Sequence, residues 1–270
     1  MKLATFLHPG SDVPRAGEVR GREVVSFPPG TTVRELLATG ADATADDEPF
    51  PLGKVKLLAP VPDPGAIYAI GLNYSAHAAE TGGEPPERPI VFVKVRNSVA
   101  PPGGPLRCPA VVRRLDYEGE LTAVMGNDGA VAGYAVADDV SARDLQEREP
   151  QWTRAKGADT FCPWGPWVTT ADEVGDPEAL RLRTWVNGEL RQDATTADLI
   201  FGIEALVAFL SETHTLSPGD LVLTGTPAGV GVAMDPPQFL QTGDVVRIEV
   251  EDLGWIEHPV EAAAPSAVDG

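Results

Sequence analysis

The chain has 270 residues, 43% of them hydrophobic, enough for one large domain or one with a small appendage. A net charge of −19, from 21 basic and 40 acidic residues with no basic run, argues against nucleic acid as a partner. Only two cysteines, no apolar run long enough for a secretory signal and no stretch near the ~18 residues of a membrane span point to a soluble, cytoplasmic protein without disulfides or a zinc knuckle.

Residues 1–58 read as a small N-terminal domain and 59–270 as the main one. In the first, "EVVSFPPGTTVRELLATG" predicts a strand, a turn and a short helix from Val33, and "ADATADDEPF" an acidic link. "LLAPVPDPG" punctuates the chain before the strand "AIYAIGLNY". "NYSAHAAE" predicts a short helix capped by Asn73 or Ser75. "PIVFVKV", "YEGELTAVMG", "VAGYAVADDV", "LRLRTWVNGEL", "DLVLTGTP" and "DVVRIEVEDLG" carry strand patterns between turn signals. "SARDLQEREPQW" predicts a helix with Ser141 and Asp144 as its start signal. "TADLIFGIEALVAFLSE" predicts the one long helix, with Leu199, Ile203, Leu206, Val207 and Leu210 on one face. The fold class is mixed α/β and β-rich.

The chemistry begins in "RRLDYEGELTAVMG". Asp116, Glu118 and Glu120 alternate, so in a strand they emerge on one face. Two such charges roughly 6–7 Å apart repel by about 2–3 kcal/mol at an effective dielectric of ~20. In a cleft, a proton, a cation or a metal must relieve that. Gly119 among them marks a place where a ligand or another backbone comes close. Asp138 and Asp139 end a later strand, and either makes a third carboxylate with Glu118 and Glu120. An all-oxygen set suits Mg²⁺, Mn²⁺ or Ca²⁺. His77 and Glu80, three apart on a helix, form a pair in which the carboxylate raises the basicity of the imidazole. Lys156 stands among large apolar residues. "LTGTPAGVG" lacks the nucleotide-loop signatures, so its backbone N–H groups and Thr226 are expected to hold a small carboxylate. His8, His214 and His258 read as ordinary surface or core residues.

The blocks "IGLNYSAHAAE", "DYEGELTAVMG", "GYAVADDVSARDLQ", "KGADTFCPWGPW", "LRTWVNGELRQD" and "LTGTPAGVG" occur in the order seen in the fumarylacetoacetate hydrolase family, which the chain resembles over about residues 65–255. The resemblance implies a β-roll catalytic domain, usually dimeric, around Mg²⁺ or Mn²⁺. It implies metal ligands at Glu118, Glu120 and Asp139, an activating pair His77 and Glu80 on a mobile lid, a cationic Lys156, and substrate contacts from Arg143, Gln146 and Thr226. The chain departs from many relatives at Asp138 and at His258, where Asn is common, and at Ala158, where an aromatic is frequent.

The activity expected from the resemblance is metal-dependent hydrolysis of a C–C bond in an acylpyruvate-like 2,4-dioxo acid. The first alternative keeps the site but omits the water: isomerisation or decarboxylation of a 2-hydroxy-diene dioate in aromatic catabolism, or decarboxylation of oxaloacetate. The second is a non-catalytic metal and 2-oxo-acid binding protein. The expected partners are a small 2-oxo acid and a second copy of the chain.

Overall fold

The structure, a computed structural model, describes residues 1–40 and 44–263. Of the acidic link expected over 41–50, residues 41–43 lie outside the described residues. Frequent Gly and Pro favour short strands between turns. In chain order these are β1 (Lys2–Leu7), β2 (Arg15–Arg20), β3 (Glu23–Ser26), β4 (Phe50–Pro51), β5 (Lys56–Leu58), β6 (Ile67–Gly71), β7 (Ile90–Lys94), β8 (Val99–Ala100), β9 (Leu106–Cys108), β10 (Leu115–Asp116), β11 (Gly119–Met125), β12 (Val131–Asp138), β13 (Ser141–Ala142), β14 (Cys162–Thr170), β15 (Arg181–Val186), β16 (Glu189–Thr195), β17 (Leu221–Leu223), β18 (Val245–Val250) and β19 (Gly254–Ala262). The helices are short: α1 (Val33–Ala38), α2 (Ser75–Glu80), α3 (Arg143–Arg148), α4 (Thr153–Lys156) and α5 (Ile203–Ser211). The result is the expected strand-rich mixed α/β architecture.

A twelve-stranded sheet runs β4-β3-β2-β1-β14-β12-β11-β17-β6-β7, with β5 added on β1 and β8 on β14. A five-stranded sheet, β16-β15-β18-β19-β9, packs on it. Strand β11 lies at the centre of the large sheet and is buried along its whole length, so both its faces are covered. Leu121, Ala123 and Met125 share one core with Leu182, Val246 and Ile248 of the smaller sheet. Val124, on the opposite face, joins a second core with Leu3, Phe27 and Trp164. The N-terminal segment thus extends the large sheet through the β1–β14 pairing and shares its second core. The division proposed at residue 58 separates two stretches of chain that one sheet runs through.

The carboxylates follow from this alternation. Glu118 and Glu120 stand on the Val124 face, while Gly119 faces the smaller sheet. A Cβ on Gly119 would lie 2.4 Å from Thr184 Oγ1 and 3.0 Å from Ile248 Cγ2. The close approach expected at Gly119 is therefore made by side chains of the second sheet, not by a ligand. Thr184 is fully buried. Gly119→Ala is expected to destabilise the fold by about 1–3 kcal/mol through overpacking, measured as a lower urea midpoint with an unchanged slope.

Helix α1 forms as predicted, with a reciprocal Thr32–Glu35 capping box. The long helix is shorter than expected. It starts after Gly202, and Leu199 lies outside it. Ile200 and Phe201 donate their N–H groups to Asn73, at 2.8 Å each, which keeps the chain extended there. Ile203, Leu206 and Leu210 are its buried face, and Val207 is half-buried. Ser141 is not a helix cap. It belongs to β13, and its hydroxyl donates to the Asp139 carbonyl at 3.0 Å, while α3 begins at Arg143 with no side-chain cap.

Candidate active site

Glu118, Glu120 and Asp139 converge where β11 and β12 pair. Gly119 sits opposite Asp138, and the Asp139 N–H donates to the Glu118 carbonyl at 2.9 Å. One carboxylate oxygen from each of the three residues lies within 4.8 Å of the others, and all three residues are buried. Asp138 turns away from them. Its Oδ1 accepts the Glu118 N–H at 2.9 Å, and its Oδ2 lies 2.9 Å from His258 Nε2. Asp138 is engaged by the Glu118 N–H and His258 and does not belong to the group of three carboxylates that lie together. The geometry groups Asp139, and not Asp138, with the two glutamates. His258, read as an ordinary residue, is fully buried and is the partner that turns Asp138 aside. The two departures from the family pattern are thus the two ends of one hydrogen bond.

Three cations balance the carboxylates. Lys156 Nζ donates to Glu118 Oε2 at 2.7 Å and Asp139 Oδ2 at 2.9 Å. Lys94, which was not singled out in the sequence, has its Nζ 2.5 Å from Asp139 Oδ1 and also donates to the Lys156 carbonyl. Arg143 reaches Glu118 Oε1 at 2.7 Å and Asp116 Oδ2 at 2.8 Å. Burial alone would raise the Glu118 carboxyl, but Lys156, Arg143 and His77 hold it well below its usual range. Burial would lower the Lys156 ammonium, but Asp139 and Glu118 keep it raised and charged.

Glu120 is different. Its Oε2 accepts the Gly225 N–H at 2.7 Å, but its Oε1 is buried with no partner. Burial, with Asp139 and Glu118 alongside, pushes its carboxyl well above the usual range. A carboxylate with an unpartnered buried oxygen beside two other carboxylates is costly unless it takes up a proton or a cation sits there. The all-oxygen donor set fits Mg²⁺ or Mn²⁺.

His77 and Glu80 sit on α2, with His77 Nδ1 2.7 Å from Glu80 Oε1. Glu80 Oε2 accepts the Gly229 N–H at 2.9 Å. Neither predicted cap acts on this helix. Its N-cap is Tyr74, without a side-chain bond. Asn73 instead donates to the carbonyls of Phe201 and Thr224, at 3.0 and 2.7 Å, and so ties the entry of α2 to two other segments.

A cavity of about 480 Å³ opens above the carboxylates, lined by His77, Glu80, Glu118, Arg143, Gln146, Lys156 and Thr226, with Phe92 and Trp152 as its apolar wall. Glu120 and Asp139 lie beneath it. The structure therefore brings every sequence-predicted site residue to one place. The 223–231 loop departs from expectation. Its Gly225, Gly229 and Gly231 N–H groups do bind carboxylates, but those of Glu120, Glu80 and Asp116. Thr226 Oγ1 donates to the Gly119 carbonyl at 3.0 Å and accepts from Gln192 at 2.8 Å. Lys94 was legible only as the charged end of the strand "PIVFVKV".

Residues 66–261 match the family described as fumarylacetoacetate (FAA) hydrolase C-terminal. The chain is 40% identical to oxaloacetate tautomerase fahd2, mitochondrial, of Xenopus laevis, over 96% of this chain and 90% of that protein. It is 41% identical to oxaloacetate tautomerase YisK of Bacillus subtilis, over 78% of this chain and 75% of that protein. A solved maleylpyruvate hydrolase from Sphingobium sp. SYK-6, in complex with manganese(II) ion and pyruvate, superposes with a TM-score of 0.79 at 32% identity, covering 98% of this chain and all of that one. Ordered motifs, fold and these likenesses agree: the chain is an enzyme that belongs to the fumarylacetoacetate hydrolase family.

Proposed function

We propose that the protein interconverts the keto and enol forms of a small dianionic 2-oxo acid, with oxaloacetate as the first candidate. The observation that carries this is a carboxylate-oriented imidazole and a charged lysine opening onto one cavity above the acidic triad. The likeness to the oxaloacetate tautomerases favours this water-free alternative over the expected hydrolysis of an acylpyruvate.

Glu118, Glu120 and Asp139 would hold Mg²⁺ or Mn²⁺, which when bound supplies positive charge for the carboxylate and 2-oxo oxygen of the substrate. With Nδ1 held by Glu80, His77 keeps Nε2 as its basic nitrogen. It takes the C3 proton of the keto form; the electron pair of that C–H bond becomes the C2–C3 double bond, and the π pair of the carbonyl moves onto the 2-oxo oxygen. Lys156 faces the resulting enolate charge. The proton returned to that oxygen completes the enol; the reverse path gives the keto form. Arg143 and Gln146 hold the distal carboxylate. Phe92 and Trp152 limit water at the reacting carbon. The proposal also includes a homodimer and a cytoplasmic location; among the described residues no helix is long and apolar enough to cross a membrane.

The test follows the decay of enol-oxaloacetate absorbance with Mn²⁺-loaded protein, beside pyruvate release from acetylpyruvate and fumarylpyruvate. Accelerated ketonisation without pyruvate release is expected. Comparable cleavage of an acylpyruvate would restore the hydrolase reading. Mn²⁺ binding without any turnover would favour a binding protein.

A further inference from the structure

Asp116 is the member of the alternating carboxylate run that takes no place in the triad, yet it is completely buried. It accepts four hydrogen bonds. Oδ1 receives the N–H groups of Tyr117 at 3.1 Å and Gly231 at 2.8 Å. Oδ2 receives the Val232 N–H at 3.0 Å and Arg143 Nε at 2.8 Å. One carboxylate therefore joins the end of β10, the 229–232 loop and the start of α3.

Each of these connections leads to a working group. Gly229 of the same loop receives Glu80, which orients His77. Tyr117, next to Asp116, donates its hydroxyl to the Gly229 carbonyl at 2.8 Å. The loop is thus gripped from below by Asp116 and Tyr117, and α2 rests on it through Glu80. The fit is tight: a Cβ on Gly231 would lie 2.6 Å from Asp116 Oδ1 and 2.0 Å from the Gln238 carbonyl. On the other side, Arg143 is clasped between Asp116 and Glu118, and its Nη1 donates to Gln146 at 3.0 Å. Hydrogen bonds at Nε and Nη1, with the Glu118 ion pair at Nη2, restrain the guanidinium. Val232, whose N–H Asp116 holds, and its neighbour Ala233 line the cavity.

We propose that Asp116 is a positioning residue that couples the docking of the His77 helix on the 229–232 loop to the aim of Arg143 into the cavity. The inference rests on the reading of His77 and Arg143 as working groups, but its test needs no turnover. Asp116→Asn keeps the shape and turns one acceptor oxygen into a donor, which opposes either the loop N–H groups or Arg143. Three measurements are made: hydrogen exchange across residues 75–80, affinity for Mn²⁺ alone, and affinity of the Mn²⁺-loaded protein for oxalate. Exchange across 75–80 should speed up relative to the rest of the chain, and oxalate affinity should fall about 10–100-fold, the usual range for loss of an outer partner. Mn²⁺ affinity should stay within about threefold, since Asp116 is not among the proposed ligands. Unchanged exchange at 75–80, or a loss of Mn²⁺ affinity with exchange accelerated throughout the chain, would overturn the coupling. Should Asp116→Asn not fold, Tyr117→Phe frees only the Gly229 carbonyl. It must then speed exchange across 75–80 by about 2–10-fold, one hydrogen bond's worth, while oxalate affinity holds; no change there overturns the proposal equally.

Discussion

Glu120→Gln is expected to lower Mn²⁺ affinity by more than about 100-fold, beyond what removal of an outer partner costs, while leaving the metal-free fold as stable or more so by about 1–3 kcal/mol. The two signs differ for one reason. The Glu120 carboxylate has a buried oxygen with no hydrogen-bond partner, beside Asp139 and Glu118. Without a cation the fold carries that cost. Glutamine keeps an acceptor for the Gly225 N–H and removes the need for a proton or a cation there. Asp139→Asn should also lose the metal, but without the gain in stability, because its removal leaves the buried Lys94 ammonium without a carboxylate and Lys156 with Glu118 alone. Asp138→Asn is the control: Asn still accepts the Glu118 N–H, and Mn²⁺ affinity should stay within about tenfold. Calorimetric titration with Mn²⁺ and urea melts in chelator measure both quantities. Wild-type affinity in Glu120→Gln would remove Glu120 from the cage.

Such a site is legible in sequence to the extent that local periodicity builds it. Glu118 and Glu120 share a face because a strand alternates, and His77 meets Glu80 because a helix turn spans three residues. Those pairs follow from spacing alone. Lys94 and Lys156 lie 62 residues apart and meet only because β7 and α4 pack together. Asp138 and His258 are 120 residues apart and meet across two sheets. No pattern within either segment announces these contacts; the paired departures from the family at the two positions were the one available trace. The helix caps failed for a related reason. Ser141 and Asn73 have the chemistry of caps, but Ser141 closes a local bond to the Asp139 carbonyl two residues back, and Asn73 is claimed by Phe201 and Thr224, 128 and 151 residues away. The N-terminal boundary was drawn from proline and acidic composition, which report on the linker and say nothing about which strand edge the segment joins.

His77→Ala is expected to reduce kcat for ketonisation of oxaloacetate by about 10²–10⁴-fold, the usual contribution of a general base, while decarboxylation of the same compound loses far less. Both reactions share the enolate, whose charge faces Lys156. They differ in the proton transfer at carbon: ketonisation forms the C3–H bond, the reverse of the C–H cleavage in which His77 is the base, whereas decarboxylation breaks a C–C bond and releases carbon dioxide without a base. The structure lets the two contributions be removed separately. His77 sits on α2 and is held by Glu80 and, through it, by Gly229, whereas Lys156 ends α4 and is held by Glu118 and Asp139. Glu80→Gln should fall between, at about 10–100-fold on ketonisation, because the imidazole loses its orienting charge but keeps its place. Lys156→Met should depress both reactions. The measurement is kcat for both reactions in wild type and the three variants, at saturating Mn²⁺. Equal losses of both activities in His77→Ala would mean that His77 holds the substrate or the loop and takes no proton. A full loss of acylpyruvate cleavage in that variant, with ketonisation intact, would return His77 to activating water, and the enzyme to the hydrolases of its family.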